Sequence, residues 1–336
     1  YDQHDDVRYT LLGSSQFLLM KNVKESLAGR AAIRELFPLS MPELVTITSG
    51  KSPAASRLIR LLESSVPSNI MNDIFPPDIT LLPESAEASK MWDYFLTWGG
   101  MPVLTHSDFN NEDRFEWLQD YHATYLQRDL SDLARLEHLE PFMRAQKTAA
   151  LRTGQRINFS DVARTSGISA PTARQFMNYL EISYQVILLP AWFANHEKRL
   201  TKQPKLHFID PGVRRAILRK RGMCEGPEYE SAIGAEIYKQ IKNLRLPVNL
   251  HHLRTTDGRE IDLLIEREDG YIALECKMSE RAAHSDFRHM RDIDTILDKP
   301  LLLGLCVSND RNVKCWNQNE KRNLWSVPVY SLLTGL

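Results

Sequence analysis

The sequence predicts a mixed α/β and α chain, with a short α/β segment first, helices in the middle and a second α/β unit last. Three observations predict it. The 336 residues, 43% hydrophobic and 25% charged, suffice for two or three soluble domains with sizeable cores. Apolar residues recur at roughly helical spacing between residues 84 and 139, whereas they alternate with polar ones around residues 259–277. Beyond residue 204, strand-like and helix-like runs interleave, which is the pattern of an α/β unit. The expected units are residues 1–83, 84–139, 140–203 and 204–336.

Composition excludes several classes. A net charge of −1 rules out a general polycation, so any nucleic-acid surface has to be local. Cys224, Cys276, Cys306 and Cys315 show no C-x-x-C spacing, which argues against zinc and against a disulfide framework. Reduced thiols and a cytoplasmic location are expected. No run approaches the roughly 20 apolar residues of a membrane span, and no signal peptide is visible, so no membrane partner is expected.

In chain order, residues 7–12 read as a strand that runs into Gly13-Ser14-Ser15, then a helix ending at Leu27-Ala28-Gly29-Arg30, where Gly29 suits a helix end. Residues 32–36 alternate like a strand, and 55–63 read as a short helix within a Pro- and Ser-rich stretch. The opening strand has no earlier sheet to pair with and the chain begins at Tyr1, so an N-terminal truncation is expected. Trp92, Phe95, Leu96 and Trp98 mark a helix that Gly99-Gly100-Met101-Pro102 breaks. Phe115, Leu118, Tyr121, Tyr125 and Leu126 stripe the next one, as core rather than as a ligand platform.

Residues 141–151 and a segment starting at Asn158, with Ser160 as its expected N-cap, read as helices. A turn follows at Ser166-Gly167-Ile168-Ser169, then a helix over 170–182 with Pro171 in its first turn, and a strand over 186–190. Helix, helix, Gly turn, helix, strand is the order of a winged helix-turn-helix. Its third helix carries Thr172, Arg174, Gln175 and Asn178, which suit DNA contact or, equally, protein contact. The last unit holds a strand over 205–210, a helix over 229–242, two further strands, a helix around 285–297, a buried strand over 301–307 and a short one at 327–330.

The chemistry concentrates in those two further strands. Arg259–Glu266 and Ala273–Lys277 alternate apolar and polar residues and flank Asp269-Gly270, a hairpin-turn dipeptide. Alternation places Glu260 and Asp262 on one face, and Glu275 and Lys277 on one face. Two carboxylates and an ammonium then converge, an arrangement suited to a divalent cation with a lysine beside the water it activates. The residues Asp262 and Glu275-Cys276-Lys277 resemble the Asp…Glu-x-Lys signature of the PD-(D/E)XK nuclease-like fold. Gly234-Ala235-Glu236 matches the upstream helical Glu that members of that fold often add. The resemblance implies metal-assisted phosphodiester hydrolysis, with Asp262 and Glu275 holding Mg²⁺, Glu236 as a direct or outer ligand, and Lys277 orienting or deprotonating water. Lys277→Ala is then expected to abolish Mg²⁺-dependent DNA cleavage with the fold intact.

A wider set of landmarks runs along almost the whole chain. It includes Leu12-Gly13-Ser14-Ser15, Ser26-Leu27-Ala28-Gly29-Arg30, Gly99-Gly100-Met101-Pro102, Tyr125-Leu126-Gln127-Arg128-Asp129, Gly167-Ile168-Ser169, Tyr179-Leu180-Glu181, Glu260-Ile261-Asp262 and Glu275-Cys276-Lys277. In this order the chain resembles a bacterial and archaeal group of AAA+-like (P-loop) ATPases whose C-terminal half is a domain of unknown function of PD-(D/E)XK type. The resemblance implies a remnant of a P-loop ATPase core, a helical lid, a winged helix and a nuclease-like domain. It implies a γ-phosphate sensor at Ser14 or Ser15 and an arginine finger or phosphate sensor at Arg30. It also implies ATP in the full-length protein, with DNA and further copies of the chain as partners. The family's Walker A lysine loop and Walker B acids would precede residue 1, so this chain is not expected to hydrolyse ATP.

Other readings carry less. Gly50-Lys51-Ser52 is rejected as a Walker motif, because Val45 stands where a Gly is required and Pro53 interrupts the helix. His251 and His252 are adjacent in a strand, point to opposite faces and are read as structural. Between His196 and Gly222, nine Lys/Arg face two acids, which reads as a solvated linker and helix face or as a nucleic-acid track. The alternative to a nuclease is a non-catalytic DNA- or protein-binding ATPase module that keeps the nuclease fold as a scaffold; a third reading is an interaction protein alone.

Overall fold

A computed structural model describes residues 10, 32–47, 50, 52–76, 79–128, 139–195, 197, 199, 202–316 and 323–335. The expected strand over 7–12 and the helix before Arg30 lie outside these residues, as do Ser14, Ser15 and Arg30. Residues 32–38 form no strand, and no strand among the described residues pairs with them.

The helices begin where side chains or prolines satisfy their first turns. α1 (Met41–Thr46) starts from a Ser40/Glu43 capping box, and α2 (Arg57–Glu63) from Ser56, whose hydroxyl accepts the N–H of Ile59. α3 (Met71–Ile74) leads to α4 (Pro83–Trp98), which opens on a proline and stops at Gly99, where φ is 76°. Asp210 explains that stop. Its carboxylate accepts the N–H of Gly100 at 2.8 Å, and a Cβ at Gly99 would overlap it. α5 (Asn111–Arg128) follows.

α6 (Leu139–Leu151), β1 (Gln155–Arg156), α7 (Phe159–Ser166), α8 (Ala170–Ile182), β2 (Val186–Leu189) and β3 (Lys205–Phe208) form the next unit. Asn158, rather than Ser160, caps α7: its side chain accepts the Ser160 N–H at 2.9 Å. Gly167 ends α7 in the left-handed conformation, and Ser169 caps α8. The three strands make an antiparallel sheet in the order β1-β3-β2. Because β3 belongs to it, the sheet runs across the boundary expected at residue 203.

α9 (Pro211–Leu218) and α10 (Gly226–Leu244) precede β4 (Asn249–Arg254), β5 (Glu260–Glu266), β6 (Tyr271–Lys277), β7 (Leu301–Ser308), β8 (Lys314–Cys315), β9 (Leu324–Pro328) and α11 (Val329–Leu332). These strands form a six-stranded sheet in the order β4-β5-β6-β7-β9-β8. β4, β5 and β6 are antiparallel neighbours, whereas β6, β7 and β9 run parallel. The helix expected near 285–297 is instead two 3₁₀ turns, His284–Phe287 and Ile293–Thr295. Asp292, at φ 54°, takes a left-handed conformation that no continuous α-helix accepts.

One hydrophobic core joins α1, α2, α4 and α10 to one face of the large sheet; Trp92 of α4 meets Tyr229 of α10 edge-on at 5.7 Å. A second core joins α5, α6, α7, α8 and α9 through Leu118, Phe142 and Phe176. The 84–139 stretch, expected as one helical unit, therefore divides between two cores. Among the described residues no helix is long and apolar enough to cross a membrane.

Candidate functional site

The β5–β6 hairpin forms as the alternation predicts. Leu263 pairs with Leu274 and Glu266 with Tyr271, and the N–H of Arg267 donates to Gly270 O across the turn. This register sets Asp262 beside the end of β6, where its Oδ2 accepts the backbone N–H of Cys276 at 2.9 Å. Lys277 Nζ donates to Glu275 Oε1 at 2.7 Å. Asp262, Glu275 and Lys277 are thus brought together.

Two further groups complete the cluster. Glu230, in the second turn of α10, and Lys205, the first residue of β3, meet at 2.5 Å. Lys205 Nζ also lies 3.1 Å from Asp262 Oδ1 and 3.7 Å from Glu260 Oε1. Lys205 is 2% exposed. Its ammonium enters from the small sheet into the carboxylates of the large one. The two sheets abut there, because the N–H of His252 donates to Pro190 O and the N–H of Trp192 to His252 O.

Glu236 is not part of this cluster. It is fully buried on another face of α10, where it pairs with Lys239 at 2.8 Å and accepts the Met41 N–H at 2.7 Å. Six residues of helix turn the chain by roughly 240° relative to Glu230, which is why one helix sends its two glutamates to different places. The helical carboxylate beside Asp262 is Glu230.

The electrostatics follow from burial and a shortage of positive charge. Four carboxylates, Glu230, Asp262, Glu260 and Glu275, face Lys205 and Lys277, and Arg254 also covers Glu260 at 3.0 Å. Burial, then the charge of Asp262, pushes Glu230 up to about 8 and Glu275 up to about 7. Burial works against the Lys205 ammonium, but Glu230 and Asp262 outweigh it and hold the group protonated well above the usual lysine range. Among the described residues Glu275 Oε2 has no hydrogen-bond partner.

As placed, these side chains do not fit Mg²⁺. The centre that a divalent ion requires is taken by Lys205 Nζ, and both oxygens of Asp262 are engaged. Among the described residues no three His, Cys, Asp or Glu are arranged to hold a metal ion. No catalytic step through a metal is therefore derived from this arrangement.

Much of the basic stretch after His196 is paired within the chain. Arg199 pairs with Glu266 at 2.8 Å, Arg214 with Glu228 at 2.7 Å, Lys220 with Glu225 and Glu228, and Arg221 with Glu112. Lys198 lies outside the described residues. His251 meets Glu266 at 3.0 Å and His252 meets Gln203 O at 3.2 Å, so the two imidazoles serve different partners. A groove of about 700 Å³ opens along α8, lined by Phe159, Arg174, Asn178, Glu181, Lys202 and Gln203 among others. Arg174, Gln175 and Asn178 are exposed on α8, and the Arg174 guanidinium lies 4.8 Å from the Phe159 ring centre.

Glu230 carries no signature in the sequence, and the stretch from Lys205 to Asp210 reads as a strand and family landmark that does not mark the Lys205 ammonium as a partner of the carboxylates. Lys205 stands among nine basic residues and Glu230 near the helix start; only a pattern of polar residues within buried strand and helix faces sets them apart.

Comparison with known proteins bears on most of the chain. A family described as an AAA domain matches residues 1–45, a domain of unknown function (DUF8612) matches 89–223, and another (DUF4143) matches 225–330. The uncharacterized proteins Rv2008c of Mycobacterium tuberculosis and Mb2031c of Mycobacterium bovis are each 25% identical over 262 residues, covering 77% of this chain and 49% of theirs. The chain spans about half the length of these curated relatives. The AAA-domain and DUF4143 matches support an AAA-like ATPase family.

Proposed function

We propose that this chain works within an AAA-like ATP-binding protein as a non-catalytic binding module, in which a nuclease-like sheet serves as scaffold and a winged-helix-type unit faces DNA. The observation that carries this reading is Lys205, whose buried ammonium stands among Glu230, Asp262 and Glu260. A nuclease of the resembled type needs those oxygens for a metal, and here they neutralise a lysine instead. The order of helices and strands around α8, and the open groove beside Arg174 and Lys202, support the DNA-facing part. Bound nucleotide would be sensed at Ser14, Ser15 and Arg30, the positions that the resemblance implies.

The test is incubation of the protein with single- and double-stranded DNA in Mg²⁺ or Mn²⁺, beside binding of the same DNA followed by fluorescence anisotropy. The reading predicts salt-sensitive binding weakened by Arg174→Ala, and no cleavage above background. Cleavage that disappears in Lys277→Ala or Asp262→Asn would establish the nuclease instead. Absent or salt-independent binding would move the partner from DNA to protein.

A further inference from the structure

We propose that a crevice at the carboxyl ends of β6, β7 and β9 binds a small zwitterion of amino-acid or dipeptide size, with Arg281 and Arg311 taking its carboxylate and Asp93 and Glu280 its ammonium. This site is separate from both the Lys205 cluster and the groove beside α8, because none of its lining residues belongs to either.

The fold makes the crevice. β6, β7 and β9 are parallel neighbours, so their carboxyl ends open on one edge of the large sheet. Open α/β sheets take ligands in crevices outside the carboxyl ends of their strands. Here the turn after β6 brings Glu280 and Arg281, the turn after β7 brings Arg311, and α11, directly after β9, brings Tyr330. α4 closes the side with Trp92 and Asp93. The volume is about 370 Å³, within the range that small-molecule sites occupy. The two turns are pinned to each other. The carboxylate of Asp310 accepts the N–H of Ala282 and the N–H of Asn312, each at 2.9 Å, so Arg281 and Arg311 ride on one frame.

The charges point to the ligand. Asp93, Glu280, Arg281 and Arg311 are all exposed, and among the described residues none of the four forms an ion pair. Two cations and two anions that share one crevice without meeting are complementary to a molecule that carries both charges. A simple anion would leave Asp93 and Glu280 unanswered, and a simple amine would leave the arginines so. Burial raises the Asp93 carboxyl, and no described cation offsets the rise, so a ligand ammonium meets no competitor there. Tyr330 is the second pointer. It is 6% exposed, and among the described residues its hydroxyl has no hydrogen-bond partner. Burial raises its phenol and the charge of Arg311 lowers it, which places guanidinium and hydroxyl near one another. A donor without a protein acceptor, beside a guanidinium fork, suits a carboxylate that accepts from both.

The experiment is saturation-transfer NMR of the wild-type chain with two millimolar mixtures, one of the common free amino acids and one of dipeptides. Each binder is then titrated calorimetrically into the wild type, into Asp93→Asn, and into Arg281→Gln combined with Arg311→Gln, with folding checked by circular dichroism. The expected result is binding of at least one zwitterion, weakened about tenfold or more by either set of substitutions. Its N-acetylated and its amidated forms should be weakened to a similar degree on the unaltered protein, a readout that does not depend on the variants folding. Whether the binder comes from the first mixture or the second fixes the ligand as a free amino acid or a peptide. Absence of saturation transfer from both mixtures overturns the proposal. Binding that is unchanged in both folded variants overturns it too, since the molecule would then sit elsewhere. Binding that survives acetylation and amidation overturns the assignment of its two charges.

Discussion

At the scale of single residues, the cluster around Lys205 concentrates the chain's uncommon energetics. Removing the ammonium leaves three facing carboxylates without their shared partner, and breaking a buried ion pair from one side costs about 3–5 kcal/mol. Lys205→Met should lower the urea midpoint accordingly; a change within error of the wild type would mean that the ammonium neutralises nothing. The raised carboxyls add a pH dependence. Glu230 and Glu275 bind protons more tightly folded than unfolded, so their contribution is complete below their ordinary pKa and lost as pH rises through about 7 and 8. Burial, then the Lys205 charge, pushes His252 down to about 4, so its contribution is instead lost as pH falls below about 6.5. Between pH 6.5 and 8 the carboxyls dominate, and the melting temperature should fall. Glu275→Gln should flatten that fall; an unchanged slope would place its cause elsewhere.

At the scale of elements, packing decides what periodicity leaves open. The hairpin of β5 and β6 and the helices α6, α7 and α8 are legible from alternation, caps and glycines, because those signals are local. Glu236 and Glu230 show the limit. Both stand on one helix, and only the direction in which α10 packs assigns one to the sheet and the other to Met41. Glu236 and Lys239 together hold the backbone at Met41 N–H and Leu39 O, the latter at 2.9 Å, and so fasten the segment that leads into α1. Lys239→Met should expose residues 32–40 to limited proteolysis and leave the DNA interaction unchanged; unaltered protection would show that the α1 contacts suffice. Gly99 is a second fixed point. Alanine there would need a positive φ and would strike Asp210, which should cost about 2 kcal/mol or more in denaturant titration.

At the scale of the whole molecule, the mixed α/β character of the last unit follows from sequence, but the division into cores does not. A hydrophobic stripe records that a face is buried, not against what. Trp92 and Phe95 therefore read as part of a helical unit and yet pack on α10 and the large sheet. The same holds for function. Asp262, Glu275 and Lys277 are legible because a hairpin brings them together, whereas Lys205 arrives from another sheet, 57 residues before Asp262. The difference between a metal site and an occupied one lies in that long-range contact. The most direct measurement is a crystal of the wild-type protein soaked in Mn²⁺, with anomalous difference density calculated at the manganese edge. No peak is expected among Glu230, Asp262 and Glu260, with Lys205 Nζ within hydrogen-bonding reach of Asp262 as at 3.1 Å here. A peak at that point with the Lys205 side chain displaced would contradict it.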